Sequence, residues 1–136
     1  MLHPTNPSFL RSVLFVDAVT CAAMGALMTF GSGLFGRLTQ IPPELLFYAG
    51  LSLFPIAAFI TLVATRPVIP AAGVWLIVAG NLLWAAGSVL LLATGWIAPN
   101  LLGSSFITAQ AIVVAVLTKL EHGALPIAVA PLRAGR

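Results

Sequence analysis

Four long apolar runs constrain this chain more than any other feature of its sequence. They cover about 10–30, 44–65, 71–94 and 101–120, and the Gly, Pro and Asn residues between them are typical helix ends. A membrane-crossing helix needs about 20 mainly apolar residues, and each run reaches that length. None alternates polar and apolar residues as a membrane-barrel strand does. The sequence therefore predicts an all-α integral membrane protein, a four-helix transmembrane bundle with short loops.

The composition excludes a soluble domain and a disordered chain. Hydrophobic residues make up 60% of the 136 residues and charged residues only 7%, whereas a soluble domain carries about 25% charged residues. Disorder requires low hydrophobicity and high net charge. The basic residues are scattered singly, so we expect no nucleic-acid partner. We expect a multi-pass protein of the bacterial inner (cytoplasmic) membrane, with the lipid bilayer as its main surroundings.

The basic residues predict how the bundle is oriented. Loops on the cytoplasmic side of membrane proteins carry an excess of Lys and Arg. Arg37 is the one basic residue on one side, and five lie on the other: Arg11, Arg66, Lys119, Arg133 and Arg136. This bias predicts that both termini are cytoplasmic.

The segments outside the four runs are rich in helix-breaking residues. Residues 123–136 contain Pro126 and Pro131, and we expect a flexible cytoplasmic tail there, after one transmembrane domain over residues 1–122. The glycines of 31–36 predict a flexible loop on the outer side.

Polar side chains inside the predicted spans mark the candidate functional site, because such groups are costly in hydrocarbon. A rise of about 1.5 Å per residue places Asn81 and Gln110 about 15 Å from the cytoplasmic ends of their helices, and Asp17 about 10 Å deep. Asn81 and Gln110 either hydrogen-bond to each other across two helices or line a small polar cavity with Trp84 in its wall. Pro55 lies at the same depth and leaves one backbone carbonyl free.

Asp17 is the most informative of these residues, and three interpretations remain open for it. It forms an ion pair at the inner interface with Arg11, Lys119 or His122. Alternatively, it is a carboxyl group that couples protons or binds a substrate, or it is a neutral acid that donates one hydrogen bond.

Small residues predict where helices approach closely. Gly73, Gly80 and Gly87 recur every seven residues, and the first span carries a second stripe of small residues. Such stripes mark helix–helix contacts, either within the chain or between chains. The second stripe consists of Ala18, Ala22 and Ala26.

Nothing in the sequence predicts catalysis. It contains no nucleophile–base pair, no cofactor-binding loop and no metal-ligand set, so we expect no enzyme, no cofactor and no metal. Cys21, Met24 and Met28 share one helix face and would suit Cu(I), but no further Cys or Met completes a ligand shell.

Three functions remain open at this point. The first is a non-catalytic accessory or assembly subunit that packs against other membrane proteins. The second is a small proton-coupled transporter that acts as a homo-oligomer, with Asp17 as its coupling carboxyl. The third is binding of a lipid or quinone against Trp84, Asn81 and Gln110. No motif assigns the chain to a known family.

Overall fold

The computed structural model describes the backbone of residues 7–134 and the side chains of residues 8–125. Within this part the chain is all helical and contains no strand. The five helices are α1 (Pro7–Phe30), α2 (Ser32–Thr39), α3 (Pro43–Ala64), α4 (Ala71–Thr94) and α5 (Leu101–Ala134).

Four of these helices are long and apolar enough to cross a membrane. The stretches concerned are Ser8–Phe30, Pro43–Ala64, Ala71–Thr94 and Leu101–Leu125. The predicted helical membrane bundle with four spans is therefore confirmed.

The helix ends follow from local chemistry. α3 begins after Pro42 and carries Glu44 in its first turn, where a negative charge favours the helix dipole. α4 follows Pro70 and ends at Gly95, whose φ of 68° is the left-handed conformation that glycine adopts readily. Asn100 caps α5: its side-chain oxygen accepts the N–H of the third helical residue at 2.9 Å. The Asn100 amide also donates to a backbone carbonyl of α2 at 2.7 Å.

The loop predicted to be flexible at residues 31–36 is instead the short helix α2, so that prediction was wrong. α2 ends at Thr39 and is capped by Gln40, which has a φ of 58° and donates its N–H to the Gly36 carbonyl at 2.9 Å. A Cβ on Gly36 would lie 2.7 Å from Cγ of Pro43. The glycine therefore lets α2 pack closely against the start of α3 rather than making the segment mobile.

The segment predicted to be a flexible tail is helical over residues 123–134, because α5 continues to Ala134. Gly and Pro lower helix propensity locally by about 1 and 3 kcal/mol. However, Ala124 and Leu125 are buried in the apolar core, and this packing favours the helix beyond Gly123. Residues 135 and 136 lie outside the described part of the chain.

The long helices form two antiparallel hairpins. The most extensive contact joins α1 to α3, and the next joins α4 to α5. α1 also packs against α5, which connects the two hairpins. In contrast, α3 and α4 make few contacts although they follow each other in sequence. A gap therefore separates these two helices along most of their length.

Glycines bring α1 and α3 together. A Cβ on Gly25 would lie 3.0 Å from the Gly50 carbonyl oxygen, and a Cβ on Gly50 would lie 2.8 Å from the Thr29 backbone nitrogen. The two backbones are thus nearly in contact at this point, which only residues without a side chain permit.

The predicted small-residue stripes are only partly used for packing within the chain. Ala18 is buried, Ala26 is half-buried and Ala22 is exposed. A Cβ on Gly73 would lie 2.8 Å from Cγ2 of Val63, so Gly73 does mark a close contact. Use of the exposed members between chains stays a prediction.

Two apolar cores lie at opposite ends of the bundle. The first forms where the starts of α1 and α4 meet the ends of α3 and α5. The second joins the end of α1 and the start of α3 to the start of α5. Between these cores lie the buried polar side chains and the cavities described next.

Candidate functional site

Three polar side chains from three helices meet inside the bundle. The Asn81 amide of α4 donates to Oδ2 of Asp17 on α1 at 2.9 Å, and to Oε2 of Glu121 on α5 at 3.3 Å. The exposed fractions are 1% for Asp17, 6% for Asn81 and 0% for Glu121. One amide nitrogen therefore bridges two buried carboxyl groups, and we call this set the carboxyl–amide cluster.

The remaining carboxyl oxygens differ in their partners. Oδ1 of Asp17 accepts a hydrogen bond from the Cys21 thiol at 3.6 Å. Oε1 of Glu121 is buried and accepts no hydrogen bond from the described part of the chain. Because both carboxyl groups accept from the same amide nitrogen, they lie close to each other. Oε1 of Glu121 therefore lacks a hydrogen-bond donor, which a proton or a ligand would supply.

Arg11 does not neutralise the cluster. Its guanidinium donates to the Ala64 carbonyl, to the Arg66 carbonyl at 2.8 Å and to the Pro67 carbonyl at 3.3 Å. It thus satisfies backbone oxygens where α3 ends, and the predicted ion pair between Arg11 and Asp17 is wrong. These unpaired carbonyls at a helix C-terminus attract the cation more directly than a carboxyl group deeper in the bundle.

The other two cationic candidates also lie apart from the cluster. Lys119 is exposed. His122 is exposed as well, and its ring packs edge-on against Trp75 with the ring centroids 5.2 Å apart.

A cavity of about 200 Å³ lies next to the cluster and is lined by all four long helices. Asp17 and Asn81 form its polar wall, and Trp84 and Phe106 contribute aromatic rings. Most of the remaining lining is aliphatic. No Lys, Arg or His of the side chains described, residues 8–125, lines it. The cavity is therefore apolar with an acidic end, and we call it the inner cavity.

Gln110 also lines the inner cavity but is not hydrogen-bonded to Asn81. Its amide donates to the Met28 sulfur at 3.5 Å. The predicted Asn81–Gln110 hydrogen bond is therefore wrong. The reason is that the span of α5 extends to Leu125. Asn81 pairs with Glu121 instead, and Gln110 lies about 16 Å from Glu121, towards the start of α5.

A second cavity of about 540 Å³ continues from the first towards the Trp96 end of the bundle. The two cavities share Trp84, Phe106 and Gln110 in their walls. The lining of the second is apolar apart from a few hydroxyl and amide groups. Gly87 borders it, and a Cβ there would meet no atom within 4 Å. We call it the outer cavity.

The gap between α3 and α4 reaches the cluster from the side. A groove of about 300 Å³ runs along it past Pro55. The groove shares Ile56, Gly80 and Asn81 with the inner cavity. A Cβ on Gly80 would meet no atom within 4 Å, so the groove has free space next to this glycine. Asn81 thus lies between the groove and the inner cavity and lines both.

Sequence reasoning identified Asp17, Asn81 and Gln110 but missed Glu121. The predicted fourth span, about 101–120, ends one residue before Glu121 and so leaves this carboxyl group outside the apolar run. Helical periodicity carries the missing signal: Glu121 stands eleven residues after Gln110, on the same helix face. A polar residue on the face that already carries a buried amide belongs inside the bundle.

Among the residues described, no group of three or more His, Cys, Asp or Glu side chains is arranged to hold a metal ion. Comparison of the chain with protein-family models, with curated proteins and with solved structures finds no match.

Proposed function

We propose that this protein is a small proton-coupled transporter for a largely apolar molecule, with Asp17 and Glu121 as its coupling pair. The observation that carries the proposal is the Asn81 amide that bridges two buried carboxyl groups, for which no side chain of residues 8–125 provides a cationic partner. Intramembrane carboxyl groups in such positions commonly mark ion and proton pathways.

The first step of the argument concerns the charge of the cluster. Two ionised carboxyl groups this close and this far from water repel each other strongly. Asn81 and the Cys21 thiol face them, and α3 contributes no titratable group to the lining of the inner cavity. A single proton shared between Asp17 and Glu121 relieves the repulsion and satisfies the free oxygen of Glu121.

The second step concerns exchange. A substrate that enters the inner cavity through the gap between α3 and α4 reaches Asp17 and Asn81 directly. Binding there displaces the shared proton, and return of the proton releases the substrate. The apolar core at the Arg11 end closes the other side of the bundle. Movement of the α4–α5 hairpin against α1 and α3 would open this closed side, because α3 and α4 make few contacts with each other.

The proposal includes the orientation and the setting of the protein. The five-to-one distribution of basic residues supports a bacterial inner-membrane protein with both termini in the cytoplasm. The cluster then lies in the cytoplasmic half of the bilayer. The open α4 face supports action as a homo-oligomer, since only 17% of its most apolar stretch is buried.

The test is proton flux in liposomes that contain the purified protein and a trapped pH-sensitive dye. A substrate panel of cationic, neutral and anionic amphiphiles is added outside. We expect a proton flux that depends on substrate and disappears in Asp17→Asn and Glu121→Gln. Glu44→Gln is the matched control, because Glu44 is the third acidic residue and is exposed at the start of α3. Substrate-dependent proton flux that persists in Asp17→Asn would contradict the proposal.

The accessory or assembly subunit is the second candidate. Its support is the same exposed α4 face, on which Gly80 and Gly87 leave room for a neighbouring helix. Native mass spectrometry after mild detergent extraction distinguishes the two. A heteromeric mass would favour the accessory subunit, and a homo-oligomer would favour the transporter. A lipid or quinone that co-purifies would favour the third candidate, a binding protein for such a molecule.

A further inference from the structure

We infer that the ligand is a hydrophobic cation, whose charged head binds the carboxyl–amide cluster and whose apolar body extends into the outer cavity. The inference rests on the proposed function and names its substrate class. It depends on the hydrogen-bonding capacity of the cluster, on the charge of the cavity walls and on the connection between the two cavities.

Hydrogen bonding is the first argument. The Asn81 amide nitrogen carries two hydrogens, and it donates to two carboxyl oxygens. Its donor capacity is therefore used. The acid that lines the inner cavity is Asp17, whose two oxygens are acceptors that receive only the Asn81 amide and the weak Cys21 thiol contact within the described part of the chain. A ligand that brings positive charge or N–H groups matches this surplus of acceptors, whereas a carbonyl or anionic head adds further acceptors.

Charge is the second argument. The cluster holds two acids and no base, and no basic side chain among residues 8–125 lines either cavity. A cationic head takes the place of the shared proton and keeps the charge of the site balanced. Trp84 and Phe106, at the junction of the two cavities, present aromatic rings that attract a cation passing between them.

The shape of the site gives the third argument. The inner cavity, at about 200 Å³, holds little more than a head group, whereas the outer cavity measures about 540 Å³. Together they fall within the usual range of ligand pockets, roughly 300–1,000 Å³. The outer cavity is apolar, and no charged side chain of residues 8–125 lines it, so it suits an aliphatic or aromatic body.

The test measures displacement of the shared proton. The full-length protein is placed in ether lipids, which contain no carbonyl groups, and infrared difference spectra are recorded. The signal is the carbonyl stretch of a protonated carboxyl group. Asp17→Asn and Glu121→Gln assign the band to the cluster, and Glu44→Gln is the control. The probes are decyltrimethylammonium, decanol and decyl sulfate, which share one tail and differ in the charge of the head.

We expect the band in the wild-type protein, its loss on addition of decyltrimethylammonium, and no change with decanol or decyl sulfate. A band that the cation leaves unchanged, or that decanol removes equally well, would overturn the cationic ligand while leaving the shared proton intact. Absence of the band from the wild-type protein would overturn the shared proton, and with it both the proposed function and this inference.

Discussion

Asn81→Leu tests whether the carboxyl–amide cluster holds the three helices together. Leu has the same branched arrangement of four side-chain heavy atoms as Asn but no donor, so the change removes the hydrogen bonds of 2.9 and 3.3 Å to Asp17 and Glu121. Two average hydrogen bonds between membrane helices contribute about 1 kcal/mol. Two bonds to charged groups contribute about 3–6 kcal/mol. Since the contact to Glu121 is long, we expect a loss of about 2–4 kcal/mol in the free energy of unfolding.

The assay is reversible unfolding in mixed micelles of a mild and a denaturing detergent. Gln110→Leu is the matched control: it removes the same type of group from the same cavity, but only a weak contact of 3.5 Å to the Met28 sulfur. We expect it to cost less than about 0.6 kcal/mol, the average for a hydrogen bond between membrane helices.

A second comparison separates the hydrogen bonds from general packing. In a background of Asp17→Leu and Glu121→Leu, the Asn81 amide has lost both acceptors, so Asn81→Leu should cost nothing or stabilise the protein. An equal cost in both backgrounds would refute the reasoning. So would a wild-type cost no larger than that of Gln110→Leu.

Three further changes test the packing and the cavities. Gly50→Ala should destabilise the fold by about 1–3 kcal/mol, because the new Cβ would lie 2.8 Å from the Thr29 backbone nitrogen. Gly87→Ala is the control and should leave the stability unchanged, because nothing lies within 4 Å of a Cβ there. Unfolding of the two variants side by side checks this. Asn100→Ala should cost about 1–2 kcal/mol in the same assay, since it removes the cap of α5; a smaller loss would mean that the cap contributes little. Gly87→Trp should fill the outer cavity and weaken binding of decyltrimethylammonium by about tenfold while sparing tetramethylammonium, whereas Gly33→Trp on exposed α2 should affect neither in a calorimetric titration.

Much of the fold follows from the sequence, because hydropathy and helix-breaking residues act locally. The bounds of α4 agree with the predicted 71–94, and those of α3 lie one residue from the predicted 44–65. The continuation of α5 could not be predicted in this way. It depends on burial of Ala124 and Leu125 against other helices, which no local pattern around Pro126 reveals.

The sequence predicted which residues belong to the candidate site better than it predicted their hydrogen-bond partners. A buried Asp and a buried Asn are conspicuous in apolar helices, and both Asp17 and Asn81 were found. Which partner each one takes depends on the register of α5 against α4. Five additional residues in the fourth span move Gln110 away from Asn81 and bring Glu121 to it. Local sequence patterns carry little information on the relative depth of two helices.

The pairing of Asp17 with Asn81 and Glu121 has a consequence for how the protein is made. Asn81 lies 64 residues after Asp17, and Glu121 lies a further 40 residues after Asn81. The first helix therefore enters the membrane with a carboxyl group whose partners the ribosome has not yet synthesised. At the centre of an inserting helix such a group costs about 2.5–3.5 kcal/mol. The nascent chain keeps this cost until its third span arrives with Asn81, so a product truncated before residue 81 retains an acid without its interhelical partner, which membrane quality control can recognise.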